Sequence, residues 1–136
     1  MLPVAFKNQL LASLKDGFAI KKGIFGQCLE IYPKANWDEM YSKLSSSLNP
    51  FNKKHMDFIR AYAAGLQVME MDNAGRLLIS RDLASFANIT GDIVITAKMG
   101  CMEVWNKEEY DKVVKEAQKE MPETAAELLG DFKISI

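Results

Sequence analysis

The chain has 136 residues, 49% hydrophobic and 26% charged, with a net charge of −1, the make-up of one ordinary globular domain or of two very small ones sharing a core. No apolar run approaches the roughly 18 residues of a bilayer span, and the first residues lack the basic and apolar regions of a secretory signal, so a cytosolic protein is expected. Two cysteines and one histidine make neither a disulfide framework nor a zinc site, and the near-neutral charge argues against wholesale wrapping of nucleic acid while leaving room for a small basic patch repeated by oligomerisation.

In chain order, "LPVAFKNQL" (Leu2 to Leu10) reads as a short helix, and the β-rich runs "FAIKK" and "CLEIY" as strands. The amphipathic stretch "PKANWDEMYSKLSSS" follows as a longer helix. "NPFNKKHMDFIRAYAAG" is another, with Asn49 as cap, Pro50 in its first turn and Gly65 just beyond its end. "LQVMEMDNAGRLL" then reads strand, turn, strand. Asp72 is placed to accept from N–H groups two residues on, an Asx-turn, and Gly75 supplies a positive φ. Together they set where Arg76 leaves the backbone. After this come a short helix "ISRDLASFA" with Ser80 as N-cap, strands "DIVITA" and "CMEVW", and a helix opened by Asn106 with Glu109 three residues on. In that last helix Tyr110, Val113, Val114 and Ala117 follow helical spacing. The end, "GDFKISI", has strand-like alternation.

The chain is written twice. "CLEIYPKANWDEM" (Cys28 to Met40) lines up with "CMEVWNKEEYDKV" (Cys101 to Val113), so Cys28, Glu30, Lys34 and Asp38 recur as Cys101, Glu103, Lys107 and Asp111. "GFAIKK" matches "DIVITA", and "LPVAFKNQL" matches "ISRDLASFA". The expected organisation is a first repeat over 1–48, a connecting helix over 49–64, a second repeat over 65–130 and a tail over 131–136. Nothing equivalent to "LQVMEMDNAGRLL" precedes Leu2, so the first repeat reads as lacking its opening hairpin.

The D-x-x-G-R turn, the "C-[LM]-x-[VI]-[YW]" strands, "YP…W" (Tyr32, Pro33, Trp37), "FIRAYAAGLQVMEMDNAGRLLI" and "EVWNKEEYD" resemble, in spacing and order, the MraZ family. These are bacterial transcriptional regulators of the division and cell-wall gene cluster, built from two SpoVT/AbrB-like half-domains. The resemblance runs from Leu2 to about Gly130. It implies an α+β fold, a pseudo-twofold swapped-hairpin β-barrel with flanking helices, assembled into ring-shaped homo-oligomers. It also implies DNA contact through the arginine-bearing loops: Asp72, Gly75 and Arg76, with Arg81 at the following helix start. The implied partner is double-stranded DNA with direct repeats in a promoter, and the implied place the cytoplasm and nucleoid.

Each feature has a plainer reading. By itself Asp72…Arg76 is an ordinary turn with a surface ion pair; the resemblance moves it to DNA contact. The basic pairs in "IKKG" and "NKKH" read as solvated surface, and Cys28 and Cys101 as small buried core residues. His55 reads as surface, and Glu116, Glu120, Glu123 and Glu127 as a solvated helix face. Trp37, Trp105 and Tyr110 read as helix anchors. No phosphate loop, nucleophile elbow or metal spacing is present, so no enzyme, cofactor, metal, membrane or small-molecule substrate is expected. Two other classes compete: an oligomeric protein-interaction or structural module that has lost DNA binding with its first hairpin, and an antitoxin of the AbrB-like class. The duplicated compact chain argues against the second.

Overall fold

The computed structural model describes residues 17–130. The helix expected over Leu2–Leu10 and the tail Asp131–Ile136 lie outside the described residues. The chain divides between Asn106 and Lys107 into two units.

Among the described residues the first unit holds five strands: β1 (Phe18–Lys22), β2 (Leu29–Pro33), β3 (Gln67–Met69), β4 (Ile93–Lys98) and β5 (Cys101–Asn106). They form one antiparallel sheet in the order β3-β1-β2-β5-β4. The expected α+β class holds. The described sheet is open, with β3 and β4 as its outer strands, rather than closed into a barrel. Its registers carry the sequence duplication into three dimensions. The β1–β2 hairpin pairs Phe18 with Pro33 and Lys22 with Leu29, and the β4–β5 hairpin pairs the matching Ile93 with Asn106 and Ala97 with Met102. Where the hairpins meet, Leu29 faces Val104, Glu30 faces Glu103 and Ile31 faces Met102. That register is unchanged when the two repeats are exchanged.

Strand alternation sorts the side chains onto two faces. One face carries Phe18, Ile20, Leu29, Ile31, Met102 and Val104, all buried, and is covered by α3 (Arg81–Phe86) through Leu83 and by the following Ala87. The other carries Ala19, Tyr32 and Cys101 and receives two helices, α1 (Lys34–Ser47) and α2 (Lys53–Ala63). Trp37 is the sole buried residue of α1. It stacks on Tyr62 of α2 at 5.8 Å, meets Tyr32 edge-on at 5.4 Å and lies 5.6 Å from Tyr41. Such ring pairs each add about 0.5–1.5 kcal/mol beyond their buried area, so one tryptophan ties both helices to the sheet.

Helix α2 starts later than its first asparagine suggests. Asn52 is the cap, accepting from the His55 N–H at 3.2 Å. Asn49 instead closes the preceding turn, accepting from the Phe51 N–H through its side chain. The half-buried His55 accepts the Asn49 N–H through Nδ1 at 3.0 Å, so it belongs to this turn rather than to open surface.

Lys21 departs most from expectation. It is not solvated: only 2% of it is exposed, beside Glu30 at 1%. Its Nζ lies 3.4 Å from Glu30 Oε1 and 4.3 Å from the Tyr62 ring centre, and donates to the Lys22 carbonyl. Tyr32 donates to the same Glu30 oxygen at 2.9 Å, and Lys98 approaches Oε2 at 3.2 Å. A buried lysine is tolerated where charge and hydrogen bonds are both satisfied, and this one is. Lys53 and Lys54 are exposed as expected.

The second unit contains α4 (Lys107–Leu129), a 23-residue helix that runs through Pro122 and has no buried residue. Glu116, Glu120, Glu123 and Glu127 are exposed along it. Among the described residues no helix is long and apolar enough to cross a membrane, and no cluster of three His, Cys, Asp or Glu is arranged to hold a metal ion.

Candidate nucleic-acid interface

Strand β3 leads directly into the turn. The Asp72 N–H donates to the Arg76 carbonyl and the Gly75 N–H to the Asp72 carbonyl, both at 2.9 Å. Asp72 Oδ1 accepts from the N–H groups of Ala74 and Arg76, at 2.9 and 2.8 Å. This is the Asx-turn expected from the sequence, extended by one more acceptance. Gly75 is buried at φ 78°, a conformation that side chains resist. The turn thus has one backbone path, enforced at both of its special positions.

Arg76 emerges from it exposed, at 66% of its side-chain surface. Its Nε lies 3.0 Å from Asp72 Oδ2, so the carboxylate that shapes the turn also orients the guanidinium. A guanidinium carries five N–H donors in a planar fork; the Nε contact uses one. A phosphate or a guanine edge is the ligand such a fork suits. Asp72 is held below the usual carboxylate range, chiefly by the hydrogen bond from the Arg76 backbone, so it stays charged and the turn stays closed around neutral pH.

The return arm differs from expectation. Residues 77–80 are not a strand. Instead, the Gln67 carboxamide bridges the gap, donating to the Leu78 carbonyl and accepting the Ser80 N–H, each at 3.0 Å. One side chain thereby replaces two rungs of backbone ladder. A lone amide among the apolar residues of "LQVM" was the available signal for it. Ser80 then caps α3, accepting the Leu83 N–H at 3.4 Å.

Arg81 is the first residue of α3 and is exposed. Among the described residues no hydrogen bond or ion pair joins it to the turn. A cation there opposes the helix dipole, which Asp82 beside it offsets. Of the four residues singled out from sequence, Asp72, Gly75 and Arg76 form one bonded unit, and Arg81 stands next along the chain, outside it.

The strand that carries the turn is anchored across the sheet. Gln67–Met69 pairs with Phe18–Ile20 of the first repeat. Gly17, at φ 82°, lets the Met69 carbonyl come so close that a Cβ would lie 2.8 Å from it.

Comparison with known proteins places the chain among named relatives. A family model described as "MraZ protein, putative antitoxin-like" matches residues 63–132. A protein named transcriptional regulator MraZ from Flavobacterium psychrophilum is 43% identical over 131 residues, covering 96% of this chain and 83% of that protein. The protein of the same name from Christiangramia forsetii is 38% identical over 131 residues, covering 96% and 84%. That from Bacteroides thetaiotaomicron is 32% identical over 111 residues, covering 82% and 71%.

Proposed function

Since this chain belongs to the MraZ family, we propose that it is a sequence-specific DNA-binding transcriptional regulator, not an enzyme, and that the Asp72–Arg76 turn is its DNA-contacting element. The observation that carries the reading is an exposed arginine, oriented by a carboxylate, on a turn whose backbone has a single path. Arg76 is the contact, Asp72 and Gly75 set its position, and Arg81 adds a second cation at the next helix start. One arginine per chain supplies little affinity, because each neutralised phosphate contributes only about one unit of salt slope. A homo-oligomeric ring on closely spaced direct repeats in a promoter of the division and cell-wall cluster raises those weak contacts to useful binding through effective concentration. The chain then acts in the cytoplasm, at the nucleoid.

The same reading makes the fold a swapped-hairpin barrel of two repeats, over 1–48 and 65–130, joined by 49–64. Two features support it. The exchange-symmetric register of β2 and β5 is what a duplicated unit requires. And β3, from the second repeat, pairs with β1 of the first, a cross-repeat pairing that a swapped hairpin would give. The matching edge in the other half is Ile93–Ile95 of the outer strand β4.

The test is a titration of the whole chain against a duplex carrying promoter direct repeats and against a scrambled duplex, at several salt concentrations. Binding is expected to favour the repeats, and Arg76→Ala to weaken it and lower the salt slope by about one unit per bound subunit. Unchanged affinity and slope in Arg76→Ala would remove the turn from the interface.

A further inference from the structure

Among the described residues, a groove and a helix face are apolar surfaces without a role so far. The first is a groove in the first unit, a cavity of about 370 Å³ bounded by Ile24 after β1, Phe58 and Ala61 along α2, Ala64 just past its end, and Phe86 on α3. Its rim is basic: exposed Lys22 lies with Nζ 5.2 Å from the Phe86 ring centre. The second surface is on α4. Val114, Ala117, Met121, Thr124 and Leu128 recur at alternating steps of three and four residues, the spacing of a seam that packs on another element. Met121 and Leu128 are 58% and 67% exposed. Isolated helices draw little stability from propensity and need a packed apolar face, so this seam calls for a partner.

Charge selects which partner. Glu120 and Glu127 directly precede Met121 and Leu128 and flank the seam. Two such helices packed seam to seam and antiparallel would set these carboxylates against each other, which disfavours that pairing. A groove rimmed by lysine accommodates them.

We propose that the α4 seam of one copy of this chain docks into the groove between β1, α2 and α3 of a second copy. Met121 and Leu128 enter the cavity, and Glu120 and Glu127 lie toward Lys22. The proposal rests on the homo-oligomeric part of the reading above and names its surfaces. Seam and groove are different patches, so each copy offers one and fills the other. Such head-to-tail contacts close into a ring when the rotation permits and otherwise continue as a fibre.

Cysteine pairs test it in the full chain: Ala61→Cys with Leu128→Cys, or Ala61→Cys with Met121→Cys. The native thiols are buried and do not compete. Mild oxidation is expected to give dimers and a ladder of higher species on a non-reducing gel, absent from each single variant. Light scattering is expected to show an oligomer for the unsubstituted chain and a smaller mass for Glu120→Lys/Glu127→Lys, with Lys22→Glu restoring it. Three results overturn the inference: cross-linked monomer only, which puts the seam on its own chain; an intact oligomer without cross-links, which puts the contact on another face; or a monomeric unsubstituted chain, which removes the oligomer as well. Arg76-dependent DNA binding in any of these cases would leave the assignment of the turn standing.

Discussion

Glu30 and Glu103 face each other at the centre of the β2–β5 pair, and Lys98 reaches both carboxylates, at 3.2 and 3.8 Å. Two like charges at the point of exchange between the repeats are thus held by one shared cation. Trp105 Nε1 donates to Glu103 at 3.3 Å, while Tyr32 and Lys21 serve Glu30.

Removing the Glu30 charge should therefore be costly. Burial pushes its carboxyl up, but Lys21, the Tyr32 hydroxyl and Lys98 together outweigh this and hold it below its ordinary value. A depressed pKa contributes stability above the unfolded carboxylate range, about 4.3, and that stability is lost as pH falls through the folded value. Glu30→Gln leaves Lys21 buried without its counter-charge, at a cost of about 3–5 kcal/mol near pH 7. Urea unfolding should show this as a lower midpoint, with the gap to the unsubstituted chain narrowing below about pH 4.

Asp72→Asn and Asp72→Ala should separate shape from charge at the turn. Asparagine keeps an acceptor for the Ala74 and Arg76 N–H groups and removes the carboxylate that, on the proposed DNA contact, would compete with phosphate for Arg76. Anisotropy titrations should find Asp72→Asn bound to DNA as tightly as the unsubstituted chain or a few-fold more tightly, roughly the size of a surface pair. Asp72→Ala should bind more weakly, since the path of the turn is lost. Equal behaviour of the two variants would mean that the Asx-turn does not position Arg76.

Gly17→Ala should destabilise the fold by about 1 kcal/mol or more. Its φ of 82° is disfavoured for alanine, and the new methyl meets the Met69 carbonyl at 2.8 Å. The contact lies where β3 joins β1, so hydrogen exchange should quicken first in Gln67–Met69 and in the turn beyond. Uniform quickening through β2 and β5 would show that β3 is not separately anchored.

Cys28 and Cys101 should be inert to thiol reagents in the folded chain. Burial, followed by the charges of Glu103 and Glu30, raises the Cys28 thiol to about 12. Burial likewise raises Cys101. At pH 8 a pKa of 12 leaves roughly one thiol in ten thousand ionised, and the thiolate is the nucleophile. A chromogenic disulfide reagent should label neither native thiol within minutes and both in guanidinium.

The four strands of the two hairpins and the correspondence between the repeats were legible in the sequence, because a string such as "CLEIY" recurs as "CMEVW" with its strand pattern intact; the pairing and register came from the structure. The Asx-turn was legible too: Asp72 and Gly75 act through bonds within five residues. Lys21 was not. Its burial depends on Glu30 nine residues away and Tyr62 forty-one residues away, and neither is implied by a local run "IKKG". The start of α2 differed from the expected Asn49 cap for a local reason: Asn52, three residues on, is an equally competent cap and takes the His55 N–H, while His55 folds back to accept the Asn49 N–H. The Gln67 bridge was only weakly legible: the lone amide in "LQVM" marks it, but a carboxamide substituting for a strand looks, in sequence, much like any polar residue in a hairpin.

That bridge gives the turn an unusual mechanical attachment. A seam of backbone rungs yields only when several part together, while a single carboxamide can release and re-engage by rotating about its own side-chain bonds, on the fast timescale of rotamer exchange. The outgoing arm of the arginine loop is stitched to the sheet through β3; the incoming arm is latched by Gln67. Released, the latch would let Arg76 shift while β3 stays in register, so the loop could change its reach without disturbing the core beneath it.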